Sequence, residues 1–108
     1  MCQSKNVKIV VFAPESHANK IREAIGKAGG GKIGNYSYCT FSLKGVGRFK
    51  PEAGAQPNIG KVGKLESVPE ERIEFICDRT IVKKVIAAIK KAHPYEEVAL
   101  DIYPLEEV

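Results

Sequence analysis

Six periodic segments follow one another in an order that restricts the fold more than any single residue does. Val7 to Ala13 is a β-branched run with the length of a buried strand. From about Glu15 to Ala28, apolar residues recur at Ala18, Ile21, Ala24, Ile25 and Ala28, which is helical spacing, and Gly29 stops it. Tyr36 to Leu43 alternates Cys39, Phe41 and Leu43 against polar residues and reads as a strand. Glu71 to Cys77 alternates in the same way. Arg79 to about Ala92 is a second amphipathic helix, with Val82, Val85, Ile86 and Ile89 on one face, Asp78 or Thr80 as cap, and His93-Pro94 as its end. Val98 to Tyr103 is a last strand, closed by Pro104. Strand, helix, strand, long connection, strand, helix, strand is the ferredoxin-like βαββαβ pattern. It predicts an α+β fold: one four-stranded antiparallel sheet, two helices on one face, and an enlarged central hairpin connection.

That connection is the unusual part of the chain. Nine of the ten glycines fall between Gly29 and Gly63. Glycine loses more backbone freedom on folding than other residues, so such density implies special dihedrals or close approach. The stretch is also basic. Lys44, Arg48, Lys50, Lys61 and Lys64 stand against one acid, Glu52, a net +4 that equals the charge of the whole chain. Residues 1–108 read as a single domain, with 44–69 as a glycine-rich basic excursion.

Composition narrows the classes. A hydrophobic content of 44% and a charged content of 28% are those of a soluble globular protein. No apolar run reaches the ~18 residues of a membrane span, and the first residues lack signal-peptide architecture, so a cytoplasmic location without membrane partners is expected. Cys2, Cys39 and Cys77 form no CxxC pair and read as buried, reduced thiols in strands. The charge of +4 is mild, and no nucleic-acid motif accompanies it.

The strands are apolar on both faces: Val10 and Phe12 beside Val7, Ile9 and Val11, and Ile76 beside Phe75 and Cys77. Two helices cannot cover both sides of a sheet. Either copies of the chain pack sheet on sheet into a homo-oligomer, or the long connection folds back over the open face.

Four strings then become recognisable: Gly30-Gly31-Lys32-Ile33-Gly34-Asn35-Tyr36-Ser37, Gly47-Arg48-Phe49-Lys50-Pro51, Gly54-Ala55-Gln56-Pro57, and His93-Pro94-Tyr95-Glu96-Glu97. In this order, from about Lys5 to Leu105, they resemble the inserted domain of the Nif-three-like proteins, the YqfO group, and the chain reads as a stand-alone form of it. In larger members the segment looks like an insertion between two halves of a dinuclear-metal domain. Those halves are absent from this sequence, so their metal ligands transfer to no residue here. The inserted domain is similar in fold to the CutA and PII proteins, which are ferredoxin-like trimers. The resemblance therefore implies a trimer.

The motifs allow several chemistries. Gly29, Gly31 and Gly34 satisfy G-x-G-x-x-G, but they follow a helix and open a strand, the reverse of a dinucleotide fingerprint. They read as a helix cap and a tight turn, with Asn35 accepting a left-handed conformation. A glycine-rich turn can also form an anion-binding nest, here from Gly30, Gly31, Lys32 and Asn35. Arg48 and Lys50 could hold phosphate or carboxylate groups, as PII proteins hold nucleotides with an analogous loop. His93, Tyr95 and Glu96 could complete a ligand site, and His93 with Glu97 could hold a divalent metal ion. The alternative is that His93-Pro94-Tyr95-Glu96-Glu97 only positions the sheet edge. No nucleophile or acid–base set is complete, so no catalytic residue is assigned. The leading reading is a non-enzymatic PII/CutA-like oligomeric binding or regulatory module for a small anion or metal ion between subunits. The other reading is a metal-dependent hydrolase acting on a nucleotide-like substrate.

Overall fold

A computed structural model describes residues 1–108. It contains β1 (Cys2–Pro14), α1 (Ala18–Lys27), β2 (Phe41–Phe49), β3 (Glu66–Asp78), α2 (Val82–Ala92) and β4 (Leu100–Glu107), and each helix is entered through a three-residue 3-10 turn. The sheet order is β2-β3-β1-β4, and every neighbouring pair is antiparallel. This is the expected ferredoxin-like arrangement.

The core follows from period two meeting period 3.6. Val7, Ile9, Val11 and Ala13 of β1 stand beside Ile73, Phe75 and Cys77 of β3, and Ile21, Ile25, Val85 and Ile89 of the helices close over them. Fully burying each aliphatic side chain contributes about 1.5–3 kcal/mol. Asp78 does cap the second helical segment: its carboxylate accepts from the Thr80 N–H at 2.9 Å and the Thr80 hydroxyl at 2.7 Å. These bonds hold the Asp78 carboxyl below its usual pKa range. His93 ends α2 in an extended conformation because Pro94 follows it.

The glycine run after α1 has a structural explanation. Gly29 has φ +99°, Gly29 N–H donates to Gly26 O, and Gly30 N–H donates to Ile25 O. That is a Schellman cap. Gly31 N–H then donates to Ile76 O at 2.8 Å, while Gly31 O accepts from Cys39 N–H at 2.9 Å, pinning the loop to β3.

Several boundaries differ from expectation. The second strand begins at Phe41 rather than Tyr36 and runs on to Phe49. Gly34 at φ +55° makes a two-residue turn between bridged Ile33 and Tyr36, and Tyr38 at φ 60° then interrupts extended pairing. The left-handed residues are thus Gly34 and Tyr38, not Asn35. Both ends of the basic excursion lie in strands, since Lys44 and Arg48 belong to β2 and β3 starts at Glu66; the loop proper is 50–65. Pro104 does not close the last strand. It lies inside β4 opposite Val7, which is tolerated because β4 is an edge. The cysteines are not uniformly buried in strands: Cys2 is exposed, Cys39 is half-buried ahead of β2, and only Cys77 is buried.

The sheet face away from the helices is more polar than the alternation suggests. Val10, Phe12 and Ile76 lie on it by register, yet so do Lys8, Arg72 and Glu74. Glu74 pairs with Lys8 at 3.3 Å and Arg72 at 2.9 Å, and Arg72 sits 5.8 Å over the Phe12 ring. Phe41, Leu43 and Tyr103 remain 63%, 52% and 44% exposed at its flanks.

A Cβ at Gly31 would stand 2.5 Å from Cys39 O, at φ +77°. Gly31→Ala is therefore expected to lower unfolding free energy by about 1–3 kcal/mol. Gly45→Ala meets nothing within 4 Å and should stay within about 1 kcal/mol of wild type. Urea unfolding of the two variants checks the contrast.

Candidate functional site

The candidate residues divide between the two ends of β3. Gly31 is bonded to Ile76, whereas Tyr95 is bonded to Glu70. Six residues of strand place these ends about 20 Å apart. Gly30, Gly31, Lys32 and Asn35 therefore do not share a site with Arg48, Lys50, Tyr95 and Glu96. The N–H groups of Gly29, Gly30 and Gly31 are spent on main-chain carbonyls, which leaves the expected nest only the N–H groups of Lys32 and Asn35. Lys32 and Gly34 border a second cavity, of about 410 Å³, with Lys5 and Asp78.

The other end holds a cleft of about 400 Å³. One wall is the end of β2 with Arg48, Phe49 and Lys50; the other is the turn with Tyr95, Glu96 and Glu97; Phe12 and Glu70 come from the sheet; and the loop supplies Pro51, Pro57 and Ile59. The aromatic and proline side chains give the cleft an apolar surface, and six charged residues, Arg48, Lys50, Glu52, Glu70, Glu96 and Glu97, stand among them.

His93 builds this cleft without lining it. Its ring is 7% exposed. Nδ1 accepts from the Tyr95 N–H at 3.1 Å, so the proton sits on Nε2, which donates to Phe12 O at 2.7 Å. Burial pushes the His93 pKa below 6.5, against smaller opposing effects of the Phe12 carbonyl and Glu70. Both ring nitrogens are engaged, and the imidazole is a neutral strut.

The strut orients Tyr95, whose ring lies 5.0 Å from His93 and 5.9 Å from Phe49. Tyr95 Oη donates to Glu70 Oε2 at 3.2 Å. Burial, followed by the charge and hydrogen bond of Glu70, pushes the phenol up to about 12. Tyr95 thus serves as a donor and not as a base near neutral pH. Glu96 Oε1 accepts from the Gln56 N–H at 2.7 Å and ties the loop to the turn.

The expected ligand residues Arg48, Lys50, Tyr95 and Glu96 and the expected metal ligand Glu97 all line this cleft, and so do Phe12, Phe49 and Glu70, which were not among the expected site residues. The glycine at 47 is a signal for Glu70: a Cβ there would meet Glu70 Oε1. Of the remaining basic residues, Lys44 instead reaches Glu15 at 3.7 Å, and Lys61 and Lys64 do not line the cleft. A metal ion does not fit the residues present. His93 has no free nitrogen, and no group of three or more His, Cys, Asp or Glu side chains converges.

The fold class is shared with the CutA proteins. CutA from Archaeoglobus fulgidus, described as a periplasmic divalent cation tolerance protein, superposes with TM-score 0.68 at 17% identity, over 95% of this chain and 86% of its own. That likeness concerns the fold alone. At the level of sequence, the chain is 58% identical over 98 residues to the GTP cyclohydrolase 1 type 2 homolog of Halalkalibacterium halodurans and 51% identical over 100 residues to that of Bacillus subtilis. It covers 91% and 93% of itself in these matches, but only 26% and 27% of the relatives. A Bacillus cereus protein related to NIF3 superposes with TM-score 0.83 at 48% identity, over 99% of this chain and 27% of that one. No family model matches. The resemblance to the Nif-three-like proteins is therefore shown, and it is to one segment, about a quarter of their length. No helix of the chain is long and apolar enough to cross a membrane.

Because His93 is held neutral, stability depends on pH in a defined direction. The unfolded imidazole takes up a proton near 6.5 while the folded one resists, so stability present above 6.5 is lost as pH falls toward the folded pKa. Denaturant titrations between pH 7.5 and about 5 should show this loss in the wild type and a flatter profile in His93→Gln.

Proposed function

We propose that this domain is a non-enzymatic, oligomeric binding or regulatory module of the PII/CutA type, and that the cleft between the end of β2 and the 94–99 turn takes a small ligand with an anionic group. The observation that supports it most is the placement of Arg48 and Lys50 at a cleft floored by aromatic rings, with neither cation in an ion pair. A planar guanidinium can hold two oxygens at once, and Lys cannot copy that. The name of the relatives, GTP cyclohydrolase 1 type 2 homolog, points to nucleotide chemistry. In this segment, however, His93 is a committed strut and Tyr95 a poor base, so metal-dependent hydrolysis finds no support among its own residues.

The expected outcome is that some phosphate-bearing metabolite raises the melting temperature in a thermal-shift screen. Arg48→Lys should weaken that compound by about ten- to a hundred-fold in calorimetry while leaving the melt of the free protein nearly unchanged, since Arg48 is exposed. A screen in which no anion shifts the melt removes the reading.

Self-association is the second half of the proposal. Phe41, Leu43 and Tyr103 flank the sheet face that the helices leave open, and Lys8, Arg72 and Glu74 can exchange partners across a symmetric contact. A trimer is expected, with a light-scattering mass near three times the 11.8 kDa of the chain. Phe41→Glu should shift that mass toward the monomer. A wild-type monomer at micromolar concentration overturns this half, and a stable dimer overturns the trimer.

A further inference from the structure

The charge of the cleft is not that of an anion site alone. Its lining includes two cations, Arg48 and Lys50, and four acids, Glu52, Glu70, Glu96 and Glu97. None of the four ion pairs of the chain lies there. Two of the acids are already engaged by neutral donors: Glu70 by the Tyr95 hydroxyl and Glu96 by the Gln56 N–H. Those bonds leave their negative charge uncancelled. Both cations stand on one wall, beside Glu52, whereas the wall across the cleft carries acids without a cation. Arg48 and Lys50 come from the end of β2, while Glu96 and Glu97 come from the turn across the cleft, with the Phe49 and Tyr95 rings 5.9 Å apart between them. A purely anionic ligand would satisfy one wall and face an excess of like charge on the other. Like-charge juxtaposition of that kind rejects partners as effectively as attraction selects them.

We infer that the cleft takes a zwitterion: a short apolar body with a carboxylate or phosphate at one end, held by Arg48 and Lys50, and an ammonium at the other, held by Glu97 and the charge of Glu70. Amino acids with a terminal amine and short peptides have this form. The inference rests on the cleft reading proposed above and adds the ammonium to it. Glu97 is the selective element, because it is exposed on the turn and engages no donor of the chain. Phe12, Phe49 and Tyr95 supply the surface on which the body lies.

The test uses 4-(aminomethyl)benzoate, which carries an ammonium and a carboxylate at opposite ends of one ring. Its controls are 4-ethylbenzoate, without the ammonium, and 4-ethylbenzylamine, without the carboxylate. Calorimetry on the purified chain should give saturable binding of the zwitterion, with each control weaker by roughly ten-fold or more. Glu97→Gln should reduce zwitterion affinity to that of 4-ethylbenzoate, leave 4-ethylbenzoate binding unchanged or improved, and leave the melting temperature of the free protein unchanged. If 4-ethylbenzoate binds as tightly as the zwitterion, the anion reading survives and the zwitterion reading is wrong. If 4-ethylbenzylamine binds as tightly, or if neither the zwitterion nor 4-ethylbenzoate binds, both are wrong. Zwitterion binding that Glu97→Gln does not weaken overturns the role given to the acidic wall.

Discussion

The part-buried hydrogen bond from His93 Nε2 to the Phe12 carbonyl, 2.7 Å long, holds the cleft end of this molecule in place. Phe12 lies near the end of β1, beyond the regular pairing with β4, which starts at Val11 and Leu100. Its N–H donates to Ala99 O and its carbonyl receives the imidazole. Both main-chain groups of one residue are thus satisfied by the segment that follows α2. The same imidazole receives the Tyr95 N–H on its other nitrogen. One side chain therefore fixes the exit of a helix, the rim of a strand and the backbone of a turn. Leaving such buried groups unpartnered would cost on the order of 1–3 kcal/mol each, and the turn that carries Tyr95, Glu96 and Glu97 would lose its anchor.

From that anchor the cleft assembles in steps that depend on one another. Tyr95 is aimed at Glu70 and stacks obliquely near Phe49. Glu70 needs the space that Gly47 leaves, since a side chain there would collide with its carboxylate. Glu96 captures the Gln56 N–H and brings the 50–65 loop against the turn. The glycine in β2 is thus a packing requirement of the cleft wall rather than a source of loop flexibility. Glycine inside a strand weakens it, and here a carboxylate occupies the volume that Gly47 frees.

The fold was legible because the sequence patterns and the tertiary structure ask for the same thing. Ile21, Ile25, Val85 and Ile89 recur at helical spacing and are buried together, and the alternation of Ile73, Phe75 and Cys77 matches the core face of β3. The misread boundaries have local causes. Alternation from Tyr36 onward looked like a strand, but Tyr38 adopts a left-handed φ that no periodicity reports. Its ring fills the space beside Gly26, where a Cβ would meet Tyr38 Cδ2, so tertiary packing accounts for the helix glycine at 26. The basic excursion was legible as a charge pattern but not as a place, because strand pairing sends Lys44 toward Glu15 on the helix side. His93-Pro94-Tyr95-Glu96-Glu97 offered two roles from spacing alone. The bond from His93 to the Phe12 carbonyl, 81 residues away, gives the imidazole a structural role that spacing does not report.

The cleft lies at one end of the open sheet face, and Phe12 joins it to the charged network at the centre of that face. Phe12 lines the cleft, and the Arg72 guanidinium lies 5.8 Å over the same ring. Arg72 in turn pairs with Glu74, which also holds Lys8 at the centre of the open face. A change at Phe12 consequently disturbs the cleft and the charged network together, and it cannot separate an effect on one from an effect on the other. Residues at the far ends of this chain of contacts can. Arg48 and Glu97 touch the cleft without belonging to the Lys8–Glu74–Arg72 network, and Phe41 and Tyr103 flank that network without lining the cleft. Sites with no shared partners contribute nearly additively, whereas sites joined through a common ring or ion pair do not. Double variants drawn from the two ends, such as Arg48→Lys with Phe41→Glu, therefore measure whether the Phe12–Arg72 contact couples the ligand binding and the self-association proposed for the two regions.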